Sequence, residues 1–368
     1  MRRFASMLFL FCAMLLVCTA CARTLPEPPS DGDHRITICS YNVAGLPKLF
    51  GNQAEDVAAN QKAIGTILTD RAFDIAAVQE DFGYHKQLNN ALGEHYTYRT
   101  NHSGGVPGGD GLNLYSRYPL YNEVRTAWEA AFGIIDDGAD AMTPKGILYT
   151  LIALGDGVYL DFYDIHADAY GDEGSTAARE AQFLQLAAIL KSREVDRPVI
   201  IAGDFNTSVH HGNDSGLLEN LMQTCGLSDM WITLYNGGST EDFSAHEGAD
   251  YRWDGIEKVL YRSGGGVELI PETFVYEWLT DDSGVSLSDH PATVCSFTYS
   301  VSDDFVPMQE KLTVPRKNHL RAAVTKVRYI AYDLIRILSD TETLWNYAKP
   351  LIDDLTNDIR DFFTGRNS

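Results

Sequence analysis

Several side chains that can bind a cation or move a proton stand at the ends of apolar runs. Asn42 follows Ile36 to Tyr41, and Glu80 follows Val78-Gln79. His166 follows Tyr163-Asp164-Ile165. Asp204 and Asn206 follow the run from Val199 to Gly203, and Asp289-His290 precedes Ala292 to Phe297. One polar residue at a strand end is usually a turn or a cap. Several at different strand ends imply a common rim, where carboxylate and amide oxygens can hold a hard cation. The sequence has no H-E-x-x-H and no paired C-x-x-C, so a zinc site of imidazoles or thiolates has little support.

The elements that must position these residues are legible as apolar runs. Ile36 to Val43, Asp74 to Gln79 and Leu112 to Tyr115 are expected strands. Ile147 to Leu154 and Val158 to Ile165 predict a hairpin around Gly155-Asp156-Gly157. Pro198 to Ala202, Ile256 to Tyr261 and Ala292 to Phe297 complete the strands. Ala54 to Thr69 and Thr176 to Arg193 predict helices, the second with Ala178, Phe183, Leu186 and Leu190 on an apolar face. This mixture predicts an α+β domain of two packed sheets flanked by helices.

Charge narrows the ligands. The 368 residues hold 51 Asp+Glu against 29 Lys+Arg, a net charge of −22. Such a field repels phosphate and argues against stable nucleic-acid binding. An acidic protein that works on phosphate needs a divalent metal to reverse the local sign.

The first residues carry an export pattern. Arg2 and Arg3 precede an apolar core from Met7 to Val17, too short to span a membrane. Cys18-Thr19-Ala20-Cys21 resembles a bacterial lipobox, with residues 1–20 as signal peptide and Cys21 acylated. The alternative is ordinary cleavage after Ala20-Cys21-Ala22. Either reading exports the protein, as a membrane-anchored lipoprotein or as a secreted one. Residues 21–33, with Pro26, Pro28 and Pro29, read as a tether. Cys39 and Cys295 lie in strand-like runs and read as buried thiols rather than a disulfide.

Between residues 34 and 300 an ordered set of motifs resembles the endonuclease/exonuclease/phosphatase superfamily, which has the DNase I-like fold. The set is Tyr41-Asn42-Val43; Val78-Gln79-Glu80; Leu114 to Pro119; Lys145-Gly146; Ile165-His166-Ala167; Gly203-Asp204-Phe205-Asn206; Trp253-Asp254-Gly255-Ile256; and Ser288-Asp289-His290-Pro291. Each piece is short; the order is specific. The resemblance implies a four-layer α/β sandwich. It also implies Mg²⁺, or another divalent cation such as Mn²⁺, held by Glu80 with Asn42 and Asp289 nearby. His290 would be the general base, oriented by Asp254. Asp204 and Asn206 would position the nucleophile and the phosphoryl oxygens, and His166 would donate to the phosphate. Arg117 and Lys145 stay outside this set.

Gly138 to Gly146 and the His166 segment look closest to bacterial sphingomyelinases, which implies a phospholipid head group as substrate. The sequence departs from that subfamily at Ile165 and Asp168, where Thr and Gln are usual. A secreted nuclease of the same fold and a non-catalytic ligand-binding lipoprotein are the alternatives. The intact polar set argues against the last.

Residues 301–368 form a separate stretch, expected to be a C-terminal helical extension. They hold ten Lys+Arg and ten Asp+Glu. Leu320, Val324, Val327, Ala331, Leu334 and Leu338 recur at helical spacing, and a second helix is expected from Leu344 to Phe362. The basic residues from Arg316 to Arg336 suit packing on the acidic domain, or contact with an anionic membrane surface.

Overall fold

The computed structural model describes residues 34–47, 54–106, 109–133, 140, 143–193, 195–207, 214–239, 255–307 and 312–314. Cys21, the expected signal peptide and tether, and the expected helices of the C-terminal stretch lie outside these residues.

Twelve strands among the described residues make two six-stranded mixed sheets. The first has the order β11-β12-β1-β2-β4-β3. Here β1 is Arg35–Asn42, β2 Ile75–Gln79, β3 Tyr98–Arg99 and β4 Asn113–Ser116. Strands β11 and β12 are Val267–Glu277 and Ala292–Val301. The second has the order β5-β6-β7-β8-β10-β9. It comprises β5 Leu120–Ala127, β6 Gly146–Gly155, β7 Val158–His166, β8 Val199–Asp204, β9 Ser228–Asp229 and β10 Glu257–Arg262.

The side-chain period of two sorts residues into layers. Ile36 and Ile38 of β1 face Phe162, Ile200 and Val259 of the second sheet in one core cluster. Cys39, Tyr41 and Val43 turn the other way, under Ile64 and Leu68 of helix α1 (Val57–Arg71) and Leu88 of α2 (His85–Ala91). On the far side, Tyr163, Ile165 and Ile201 pack on Phe183, Leu186 and Leu190 of α3 (Glu173–Lys191) and on Leu218 and Leu221 of α4 (Ser215–Cys225). The result is four layers, helix-sheet-sheet-helix. A short helix, α5 (Met230–Tyr235), closes the β9 edge. Asp56 and Asp172 cap α1 and α3 by accepting the backbone N–H of Ala59 and Ser175. Cys39, Cys225 and Cys295 are free, buried thiols.

Each sheet contains one parallel pair joined through a helix: β1-α1-β2 and β7-α3-β8. Parallel partners end on the same edge, so Asn42 lies opposite Gln79, and His166 opposite Asp204. The antiparallel neighbours β10 and β12 begin where those strands end. Glu257 therefore pairs with Asp204, and Ser40 with Thr293, just past His290. This register brings six polar strand ends to one rim.

Candidate active site

Backbone strain marks the rim. Glu80 and Asn206 both occupy left-handed backbone, at φ 59° and 49°. Non-glycine residues there are uncommon and concentrate at functional sites. The turn after β2 is held by Gly45, whose N–H donates to the Glu80 carbonyl at 3.1 Å. Gly203 has φ 144°, and a Cβ there would overlap the Ile165 carbonyl. Only glycine lets β8 pass close enough to β7 for His166 and Asp204 to meet.

Asn42 joins the two sheets. Its Nδ2 donates to Glu80 Oε1 at 3.2 Å and to Asp204 Oδ2 at 3.1 Å. Ser288 anchors the same residue by donating to the Asn42 carbonyl at 2.7 Å. Asn206 donates its backbone N–H to Asp204 Oδ1 at 3.0 Å and its side-chain Nδ2 to the Ala167 carbonyl at 3.0 Å. Nε2 of His166 lies 3.4 Å from Asp204 Oδ2, and its buried Nδ1 has no hydrogen-bond partner among the described residues.

His290 sits across from these groups. Its Nδ1 is 2.5 Å from Glu257 Oε1 and 3.9 Å from Asp204 Oδ2, and its Nε2 is 3.9 Å from Asp289 Oδ1. The Asp289 side chain is 79% exposed, at the outer lip. Asp254, expected beside His290, lies outside the described residues. The carboxylate on Nδ1 is Glu257, which in the sequence is hidden inside the expected strand from Ile256 to Tyr261. Its signal is register: the first residue of β10 is opposite Asp204.

Electrostatics separate the two imidazoles. Burial pushes His166 well below its usual range, and the Lys145 and His290 charges add to that. His166 is therefore neutral. Burial also opposes charge on His290, but the Glu257 hydrogen bond and the Asp204, Glu257 and Asp289 charges outweigh it and raise it to about 10. Burial raises the Glu80 carboxyl, against the pull of Lys145 and His290. Lys145 is itself buried, pairs with Asp140 at 2.5 Å and donates to the Ala167 carbonyl at 3.2 Å. Arg117 is ion-paired with Asp74, away from this rim.

The donors fit a hard cation. Glu80 and Asp289 offer carboxylate oxygens, whereas Asn42 turns its Nδ2 to Glu80 and its amide oxygen accepts the Ala44 N–H at 3.1 Å; burial that raises Glu80 is relieved by a positive charge beside it. Asp204, Glu257 and His290 bring ligand-type atoms within 4.8 Å of one another. In that trio the short His290–Glu257 bond already occupies both partners, which suits proton transfer.

The Endonuclease/Exonuclease/phosphatase family matches residues 39–290, a span that begins in β1 and ends on His290. The chain belongs to this family. It is 30% identical to sphingomyelinases of Mycobacterium tuberculosis and Mycobacterium bovis over 283 residues, 74% of this chain and 54% of each of theirs. The chain thus spans about half the length of the curated relatives it matches. Among solved structures, a humanized Danio rerio TDP2 superposes with a TM-score of 0.53 at 16% identity, covering 72% of this chain and 99% of that one. A family member from Bacteroides thetaiotaomicron gives 0.51 at 17%, covering 75% and 98%. These two structures share the fold. In this family member the rim straddles both sheets, with Asn42 and Glu80 from one and His166, Asp204 and Glu257 from the other.

Proposed function

We propose that the chain is an exported, Mg²⁺-dependent phosphodiesterase that cleaves a phospholipid head group by water attack. The observation that carries this reading is the bridge from Asn42 Nδ2 to Glu80 and Asp204, beside the His290–Glu257 pair. Glu80 and Asp289, with Asn42 bridging Glu80 to Asp204, would hold a divalent cation, which would supply Lewis-acid charge to a phosphoryl oxygen.

The chain's own residues do the rest. Glu257 holds Nδ1 of His290, so in the neutral ring, whose share grows as pH rises towards 10, Nε2 is the nitrogen that takes the proton of the attacking water. Asp204 orients that water, and the Asn206 backbone bond fixes the Asp204 carboxylate. Neutral His166 offers a ring N–H to a phosphoryl oxygen as charge builds. The water oxygen bonds to phosphorus as the bond to the leaving oxygen breaks. The products are a phosphomonoester and an alcohol.

Two observations support lipid. The curated relatives are named sphingomyelinases. The connection from β11 to β12 that carries Asp289 and His290 also exposes Trp278 and Val285, at 46% and 62%. Export, and acylation at Cys21, are parts of the same proposal; a Cys21→Ser variant that keeps its lipid would remove the anchor. The deciding experiment assays sphingomyelin, DNA and inositol phosphates, each with Mg²⁺ and with EDTA. Mg²⁺-dependent release of the phosphorylated head group is expected. Turnover of DNA alone, or no turnover of any substrate, would overturn the reading.

A further inference from the structure

The strained turn that carries Glu80 is gripped through its next residue, Asp81. The Asp81 N–H donates to the Gly111 carbonyl at 2.9 Å, and the Asp81 carbonyl lies 3.0 Å from Nε2 of His102. A carbonyl only accepts, so that ring nitrogen carries the proton. The buried Asp81 carboxylate accepts from Asn113 Nδ2 and Tyr115 OH, at 2.9 Å each. Gly111 has φ 69°, and a Cβ on it would lie 2.6 Å from the Phe82 ring and 3.1 Å from Glu80 Cα. Residues 101–103, after β3, and 110–113, leading into β4, thus hold the turn on both sides.

Arg125 ties those two limbs together. It reaches across from β5, at the edge of the other sheet, and its side chain is buried. Its Nη1 donates to Asp110 Oδ1 and Oδ2 at 2.7 and 2.9 Å and to the Leu112 carbonyl at 2.8 Å. Its Nη2 donates to the Asn101 carbonyl at 2.6 Å and to Asn113 Oδ1 at 3.3 Å. Ser103 latches the same two limbs: its Oγ donates to Asp110 Oδ1 at 2.6 Å and accepts the Asp110 N–H at 2.9 Å. A planar guanidinium presents its donors in a rigid fork, a set of contacts that the point charge of a lysine does not reproduce.

We propose that Arg125 is a positioning residue for Glu80: by clamping residues 101–103 to residues 110–113 it fixes the turn from which the Glu80 carboxylate would hold its cation. The inference rests on the reading of Glu80 as a cation ligand given above. Left-handed backbone at a non-glycine residue persists only where its surroundings over-determine it, and Glu80 sits at φ 59°. The path runs from Arg125 to Asp110, Gly111, Asp81 and Glu80, and each step is a hydrogen bond or a peptide bond. Arg99 supplies a contrast. It too clamps backbone carbonyls, those of Asn89, Leu92, Gly93 and Tyr96 at 2.8 to 3.2 Å, but at the far end of α2 from Asp81.

The test is Mn²⁺ binding by full-length protein stripped with EDTA, read from the electron paramagnetic resonance signal of the free ion and made below each variant's unfolding transition. The site of interest is the one that Glu80→Gln abolishes. Arg125→Lys should hold Mn²⁺ there about tenfold more weakly than wild type, a size in keeping with outer partners of metal ligands. Ser103→Ala, a milder cut in the same clamp, should weaken it in the same direction. Arg99→Lys, the control for lost stability alone, should bind as wild type does. Wild-type affinity in folded Arg125→Lys, or in Ser103→Ala where Arg125→Lys does not fold, would overturn the proposal, as would equal weakening by Arg99→Lys. A wild type that binds no Mn²⁺, or Glu80→Gln that binds it unchanged, would instead remove the reading of Glu80 as a ligand, and the positioning role with it.

Discussion

Nδ1 of His290 lies 2.5 Å from Oε1 of Glu257, the residue that opens β10 opposite Asp204. Two sheets meet in this contact: His290 leads into β12 of one, and Glu257 begins a strand of the other. A carboxylate on Nδ1 fixes the tautomer and favours the charged ring, so Glu257 both orients His290, the proposed base, and raises its pKa.

Glu257→Gln should therefore act in two ways. Loss of the carboxylate lowers the His290 pKa, which moves the acid limb of the rate profile to lower pH. Loss of the aimed tautomer lowers kcat, on the order of 10²-fold. A pH profile of kcat/KM tests both. An unmoved acid limb would show that Glu257 does not set the base.

His290→Ala and Glu80→Ala should each reduce turnover by on the order of 10²-fold or more. Their metal responses should differ. The Glu80 variant should need far more Mg²⁺ to reach its residual rate, while His290→Ala should keep the wild-type Mg²⁺ midpoint. Near wild-type turnover in both folded variants would remove these residues from the chemistry.

The strands behind the rim were legible because they are buried on both faces. Ile75 to Gln79 and Val199 to Asp204 are fully buried, and such strands appear as unbroken apolar runs. Strands β5 and β11 escaped because they are sheet edges. Their sequences mix Asn122, Glu123 and Arg125, or Glu268 and Glu272, among apolar residues, and β11 carries a bulge between Pro271 and Thr273. Helix α2 buries only Leu88 and has no periodic face to detect. Asn42, Glu80, Asp204 and His290 were legible as strand-end residues. Glu257 was not, because an acid inside an expected strand reads as outward-facing until its cross-strand partner is known.

Lys145 holds a buried ion pair with Asp140, at 2.5 Å. Lys145→Met leaves the Asp140 charge buried without its partner and should cost about 3–5 kcal/mol. Adding Asp140→Asn should restore most of the stability, as read by denaturant unfolding. Activity should stay low in the double variant, because the Lys145 charge that pulls the Glu80 carboxyl down is still missing. Recovery of both together would make Lys145 a stability residue alone.

Asp168 makes the last prediction, which concerns stability against pH. It replaces the Gln usual in the subfamily that the sequence resembles. Its Oδ2 accepts the Phe132 N–H at 2.7 Å, and its Oδ1 is buried without a hydrogen-bond partner among the described residues. Burial, with the Asp140 charge beside it, raises its pKa from 3.8 to about 7, against the pull of Lys145. The unfolded chain releases this proton near pH 3.8, while the folded protein keeps it until about pH 7. Between those values the folded state holds more protons, so stability falls as pH rises and then levels off above the folded pKa. The slope from this one group is on the order of 1 kcal/mol per pH unit. Asp168→Asn keeps the acceptor for Phe132 and removes the titration. Its stability relative to wild type should improve steadily from about pH 4 to about pH 7, measured by urea unfolding at each pH. A difference that stays constant across that range would mean that Asp168 is ionised in the folded protein throughout, and the buried-proton account would be wrong.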